Sequence, residues 1–135
     1  MGKLFTGRVT AFITTVLVAT TLVAAPVTTN AKDGDIIRRG DCTARSDWKL
    51  GLSPENGRIE VEFEVDQNRN GQRWNVKLKR NGNVFWRGTR TTRAPSGSFE
   101  VRRLTRNGPG TEKIVARARN PRTGEVCRGV VRFTS

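Results

Sequence analysis

The chain has 135 residues with 25 Lys and Arg against 12 Asp and Glu, a formal charge of +13, and no His or Tyr. A chain this short holds one domain with a modest core. The missing His and Tyr remove the commonest general base, the commonest metal ligand and the phenol of many acid-base sites, while the charge favours anionic ligands or surfaces without naming one.

In chain order, the first 31 residues carry Lys3 and Arg8, no acid, and an uncharged stretch from Val9 to Ala25 rich in Val, Leu, Ala and Thr. A basic segment followed by an apolar one is the order of a secretory signal. Thr29-Asn30-Ala31 puts small residues at the minus-three and minus-one positions, which predicts cleavage after Ala31 and a secreted, extracellular chain beginning at Lys32. A retained anchor is the competing reading, because the uncharged run from Val9 to Asn30 is as long as the roughly 20 residues that span a bilayer. Pro26 and the many threonines weaken it, and cleavage would leave no stable membrane span. Residues 32 to 40, KDGDIIRRG, lack periodicity and read as an N-terminal arm, with the domain at residues 41 to 135.

Cys42 and Cys127 are the only cysteines. Export places them in an oxidising compartment where pairing is expected; free thiols or an intermolecular bridge are the alternative. Beyond Cys42 the dominant pattern is alternation at period two between turn residues, which predicts seven strands. Cys42, Ala44, Ser46, Trp48 and Leu50 share a face of the first. Ile59, Val61, Phe63 and Val65 alternate with Glu60, Glu62 and Glu64 in the second. Trp74, Val76 and Leu78 alternate with Arg73, Asn75, Lys77 and Lys79 in the third, and Asn81-Gly82 then forms a tight hairpin turn. Val84 to Thr89 is the fourth strand. Thr91 to Ser98 is a loop, broken by Pro95 and Gly97. Phe99 and Val101 open the fifth strand. Ile114, Ala116 and Ala118 mark the sixth, with Lys113, Val115, Arg117 and Arg119 on its other face, and Glu125 to Phe133 is the seventh.

Seven short strands, the run RWNVKLKRNG at 73 to 82 and the closing run TGEVCRG at 123 to 129 resemble an immunoglobulin-like or fibronectin-type-III-like β-sandwich, of the kind found in small secreted actinobacterial proteins. The resemblance implies an all-β fold with the first, second and fifth strands in one sheet and the third, sixth and seventh in the other. It departs from antibody domains in its cysteines. Cys42 and Cys127 fall on the first and last strands, so their bridge staples the two ends of the domain, and antibody-type recognition loops do not follow.

Charge is uneven: residues 32 to 66 hold six basic and nine acidic side chains, and residues 67 to 135 hold seventeen basic and three acidic. Outward side chains of a strand share one face. Glu60, Glu62 and Glu64 are therefore expected beside Arg45, Lys49 and Arg102. The opposite sheet is expected to display Arg73, Lys77, Lys79, Arg117, Arg119, Arg128 and Arg132 as an anion-binding face, with Phe85 or Trp86 also pointing outward. A solvated face that blocks edge pairing is the plainer role for such charge.

Other motifs carry less. Asp66 to Gly71 starts like a calcium loop, but Lys77 stands where a bidentate Glu is needed, so an Asn/Gly turn is expected and no metal or cofactor. The glutamate row reads as a salt-bridged ladder. Arg39-Gly40-Asp41 is read as part of the arm beside the disulfide, Ser96 and Ser98 have no His to activate them, and Trp48 and Trp74 belong to the core. The reading is a secreted, non-enzymatic β-sandwich that binds an anionic polymer or surface, with no specific nucleic-acid module. The alternative is an inhibitor or effector that grips a protein partner through the loop at 91 to 98.

Overall fold

Ile59, Val61, Phe63 and Val65 turn into the core while Glu60, Glu62 and Glu64 turn away from it, and the same period of two organises most of the chain. The computed structural model describes Gly2 and residues 34 to 134; the remainder of the expected signal segment lies outside the described residues. The strands are β1 (Ile36–Asp41), β2 (Asp47–Glu55), β3 (Arg58–Asp66), β4 (Arg73–Arg80), β5 (Asn83–Thr91), β6 (Ser98–Arg106), β7 (Thr111–Arg119) and β8 (Val126–Thr134). They form two four-stranded antiparallel sheets, ordered β1-β2-β3-β6 and β5-β4-β7-β8, in a sandwich-like all-β fold. Among the described residues no helix is long and apolar enough to cross a membrane.

Among the described residues there are eight strands, where alternation predicted seven. The additional strand is β1, drawn from the segment read as an arm. It is an edge strand paired on one side with β2, and only Ile36 and Gly40 of its six residues are partly covered. A strand that buries so little need not alternate, so IIRRGD gave no periodic signal. The strand expected from Cys42 starts later: residues 42 to 46 form a loop, and pairing with β3 begins at Asp47. The division of the other strands between sheets agrees with expectation, and β5, not assigned beforehand, pairs with β4.

The core lies between the inward faces. Leu50, Val61, Phe63, Trp74, Leu78 and Ile114 are fully buried, and burying each such side chain contributes roughly 1.5 to 3 kcal/mol. Trp74 keeps its indole N–H satisfied by donating to Gln67 Oε1 at 2.9 Å. Both Asn81 (φ 49°) and Gly82 (φ 83°) are left-handed, the backbone that a two-residue type I′ hairpin requires.

One lateral side of the sandwich is closed. Cys42 and Cys127 are joined in a disulfide, consistent with an extracellular protein. Beside it Trp48 packs against the core and fills the gap between β1 and β8: a Cβ on Gly40 would come within 2.7 Å of its ring, and so would one on Gly129. The 42 to 46 loop is stitched to the start of β8. Thr43 N donates to Val126 O and Val126 N to Thr43 Oγ1, both at 2.9 Å, and Ser46 N donates to buried Glu125 Oε1 at 2.8 Å. The opposite lateral side, between the edge strands β5 and β6, has no such staple.

Candidate anion-binding face

On β4 the buried side chains are Trp74, Val76 and Leu78, so Arg73, Lys77 and Lys79 must project from the other side of the sheet. The same logic turns Arg117 and Arg119 outward from β7, where Ala116 and Ala118 are buried, and Arg128 and Arg132 outward from β8, where Cys127 and Val131 are buried. All seven residues predicted for this face therefore share it. Two further cations join them: Arg87 of β5, opposite Lys77, and Lys113 of β7, opposite Arg132. Lys113 was legible from its alternation with Ile114. Arg87 was not, because a bulge shifts the phase of β5.

Strand register organises these charges more than composition suggests. Arg87 pairs with Lys77, Lys77 with Arg117, and Arg117 with Arg128, giving one cation on each of four adjacent strands in a single transverse row. At the usual strand separation the row is about 14 Å long. Like charges directly opposite one another destabilise a sheet, and no member of the row forms an ion pair among the described residues. The second sheet and its turns carry two carboxylates, Glu112 and Glu125, and both are buried. Two shallow depressions flank the row, one lined by Arg87, Arg117 and Arg119 and the other by Lys79, Lys113 and Arg128; Lys77 and Arg117 line both.

The outer face of the first sheet is built oppositely. Lys49 Nζ bonds Glu62 at 2.7 Å and Glu64 at 2.9 Å, and Arg102 bonds Glu62 at 2.8 Å, Glu100 at 3.1 Å and Glu60 at 3.6 Å. Burial acts to lower the Lys49 ammonium, but the bonds to Glu62 and Glu64 outweigh it and hold the group above its ordinary value. Glu62, Glu64 and Glu100 bring carboxylate oxygens within 4.8 Å of one another, and each of the three is bound by Lys49 or Arg102. The glutamate row is a salt-bridged ladder, as expected. Arg45, predicted beside it, sits in the 42 to 46 loop instead.

The expectation that Phe85 or Trp86 points outward is overturned. The β4–β5 register slips between Leu78 and Lys79, so Leu78 pairs with Trp86 and Lys79 with Val84. The extra residue breaks alternation, and both Phe85 and Trp86 pack against the core. Trp48 and Trp74 pack there too, so none of the three tryptophans serves the basic face.

The remaining motifs resolve into local structure. Asp66 Oδ1 accepts from Asn68 N at 2.9 Å, an Asx turn, and Asn68 is left-handed at φ 56°. The loop predicted at 91 to 98 is shorter, residues 92 to 97, because Thr91 ends β5 and Ser98 begins β6; buried Thr92 ties the turn to it, its hydroxyl donating to Arg69 O at 2.5 Å and accepting from Gln72 N at 2.9 Å. The Ser96 hydroxyl of that loop meets the hydroxyl of Ser98, at the start of β6, at 2.7 Å. Arg39-Gly40-Asp41 lies in β1, paired with Lys49, Trp48 and Asp47, and is not part of an unpaired arm. At the far end of the second sheet Arg80 grips Glu112 with two nitrogens, and Gly108 N donates to the same carboxylate at 3.0 Å.

The sequence matches no known family and no curated protein. Among solved structures, the chain is similar to the crystal structure of wild-type OgpA from Akkermansia muciniphila, with a TM-score of 0.37 and 11% identity over 73% of this chain and 27% of that one.

Proposed function

We propose that the protein is a secreted, non-enzymatic β-sandwich of immunoglobulin-like or fibronectin-III-like type that binds an anionic polymer through the outer face of its second sheet. The fold type rests on the sheet order. In constant-type immunoglobulin domains the fourth strand joins the sheet of the first, second and fifth. If β1 is taken as an addition, the fourth strand here is β5, which lies beside β4, and this favours the fibronectin-type arrangement. Secretion rests on the signal pattern and on the disulfide between Cys42 and Cys127.

The observation that carries the function is the row Arg87-Lys77-Arg117-Arg128. Isolated, it is a run of unrelieved repulsion. A polyanion laid across it removes that repulsion and releases its own condensed counterions, so affinity and the strain of the free face come from the same charges. Arginine forks bind phosphate, sulfate or carboxylate oxygens in pairs, which lends geometry to what would otherwise be a point-charge attraction.

The experiment is a salt titration of the oxidised domain against a sulfated polysaccharide, a polyphosphate and a polyuronate. Binding that survives physiological salt for one of them and falls sharply on reversing Lys77 and Arg117 supports the proposal. Equal and weak affinities that vanish at physiological salt would show the face to be only solubilising.

A further inference from the structure

A second cationic feature lies on the lateral side without a disulfide, between β5 and β6, and it differs from the outer face in construction. Arg90 pairs with buried Trp74 and Arg103 with buried Val61, so both arginines occupy inward-facing positions of edge strands, one in each sheet. Their guanidinium carbons converge on one indole: Arg90 Cζ stands 4.9 Å and Arg103 Cζ 4.6 Å from the centroid of a Trp86 ring. The space for that indole is made by Gly88, where a Cβ would fall 2.6 Å from Trp86 Cζ2.

Inward charges on edge strands discourage edge-to-edge pairing, and each of these two edges carries one. Two drawn to the same ring repel each other, and neither has an acidic partner among the described residues. This contrasts with Arg80 and Arg102, which are both paired with glutamate. Arg90 Nη1 donates to Thr89 O at 3.0 Å and Arg103 Nη1 to Arg102 O at 2.7 Å. A guanidinium resting on an aromatic ring keeps its N–H donors in its own plane, pointing past the ring edge. Both side chains are half-buried, so the pair is reachable from solvent yet less screened than the outer face.

We propose that this pair of arginines binds a single oxyanion group between the forks of Arg90 and Arg103, with Trp86 as the platform that holds both. The ligand chemistry is a compact phosphate, sulfate or carboxylate, presented either by a small molecule or by a polymer terminus. The site is independent of the transverse row and does not rest on it.

The probe is inorganic phosphate at constant ionic strength, compared with sulfate, acetate and a chloride control, read by tryptophan fluorescence and by calorimetry. A phosphomonoester-terminated oligosaccharide, set beside the same compound without its phosphate, distinguishes a polymer terminus from a free ion. The expected result is a saturable fluorescence change with at least one oxyanion, weakened about tenfold in both Arg90→Lys and Arg103→Lys, which keep the charge but lose the fork. In Trp86→Phe the fluorescence change should vanish. The outer-face variant Lys77→Glu should leave the response unaltered, which separates this site from the polymer face. A response equal to that of chloride, or one unchanged in both lysine variants, would overturn the proposal.

Discussion

Lys77 of β4 stands directly opposite Arg117 of β7, each also facing a second cation, so the middle of the second sheet is a like-charged pair with like-charged neighbours. An antiparallel sheet bears such a pairing at a cost. Replacing Lys77 by Glu converts the two repulsions at that position into attractions, and the variant should be more stable than the parent by about half a kcal/mol at low salt. Urea denaturation checks this, and the gain should shrink as salt screens the charges. The same substitution should weaken polyanion binding, so stability and binding move in opposite directions.

The Arg80 to Glu112 pair should govern acid stability at one end of the second sheet. Glu112 is only 3% exposed, and the Arg80 guanidinium bound to it, helped by Gly108 N, holds its carboxyl below the ordinary carboxylate range despite the opposing effect of burial. A carboxyl that ionises more readily folded than unfolded contributes stability that is fully present above its unfolded value. That stability is lost as pH falls through the lower folded value. Glu112→Gln should therefore cost about 1 to 3 kcal/mol at neutral pH and flatten the loss of stability on acidification. Denaturation of the parent and variant between neutral and strongly acid pH measures both.

The disulfide closes a separation of 85 residues, and reduction or paired substitution of Cys42 and Cys127 by Ser should cost about 4 kcal/mol by constraint of the unfolded chain. Guanidinium unfolding with and without reductant gives the difference. An unchanged midpoint would mean that the hydrogen bonds tying Thr43 and Ser46 to residues 125 and 126 hold the ends together unaided.

Gly129 tests how the closed side is packed. A methyl group there meets the Trp48 ring at 2.7 Å and Leu50 Cδ2 at 3.1 Å. Gly129→Ala should destabilise by about 1 to 3 kcal/mol through overpacking, since both neighbours are packed side chains with little room to yield. A stability equal to the parent's would show that Trp48 can move without cost.

The parts of this architecture that bury an apolar face were readable from the chain. Val61, Phe63 and Val65 against their glutamates, or Trp74, Val76 and Leu78 against Arg73, Asn75 and Lys77, leave one way to orient a strand, and orientation put all seven cations on one face. What escaped reading lies at the edges. Strand β1 buries too little to alternate, and the bulge opposite Leu78 and Lys79 reverses the phase of β5, so Phe85 and Trp86 both turned inward and Arg87 went unassigned. Arg90 and Arg103 also sit where alternation calls for apolar side chains. Register is a relation between strands distant in sequence, so the transverse row could be seen only once β5, β4, β7 and β8 were placed side by side.

The most direct test of the polymer-binding face is the salt dependence of binding for the parent, the Lys77→Glu/Arg117→Glu variant and a variant altered at Ser96 and Ser98, in and beside the 92 to 97 loop. If the four cations of the row each neutralise one charge of a flexible polyanion, the slope of log affinity against log salt is about −3 for the parent. It should fall by at least half in the charge-reversed variant and stay at the parent value in the loop variant. A slope unchanged by the reversal, or binding lost through the loop changes alone, would contradict the assignment of function to this face.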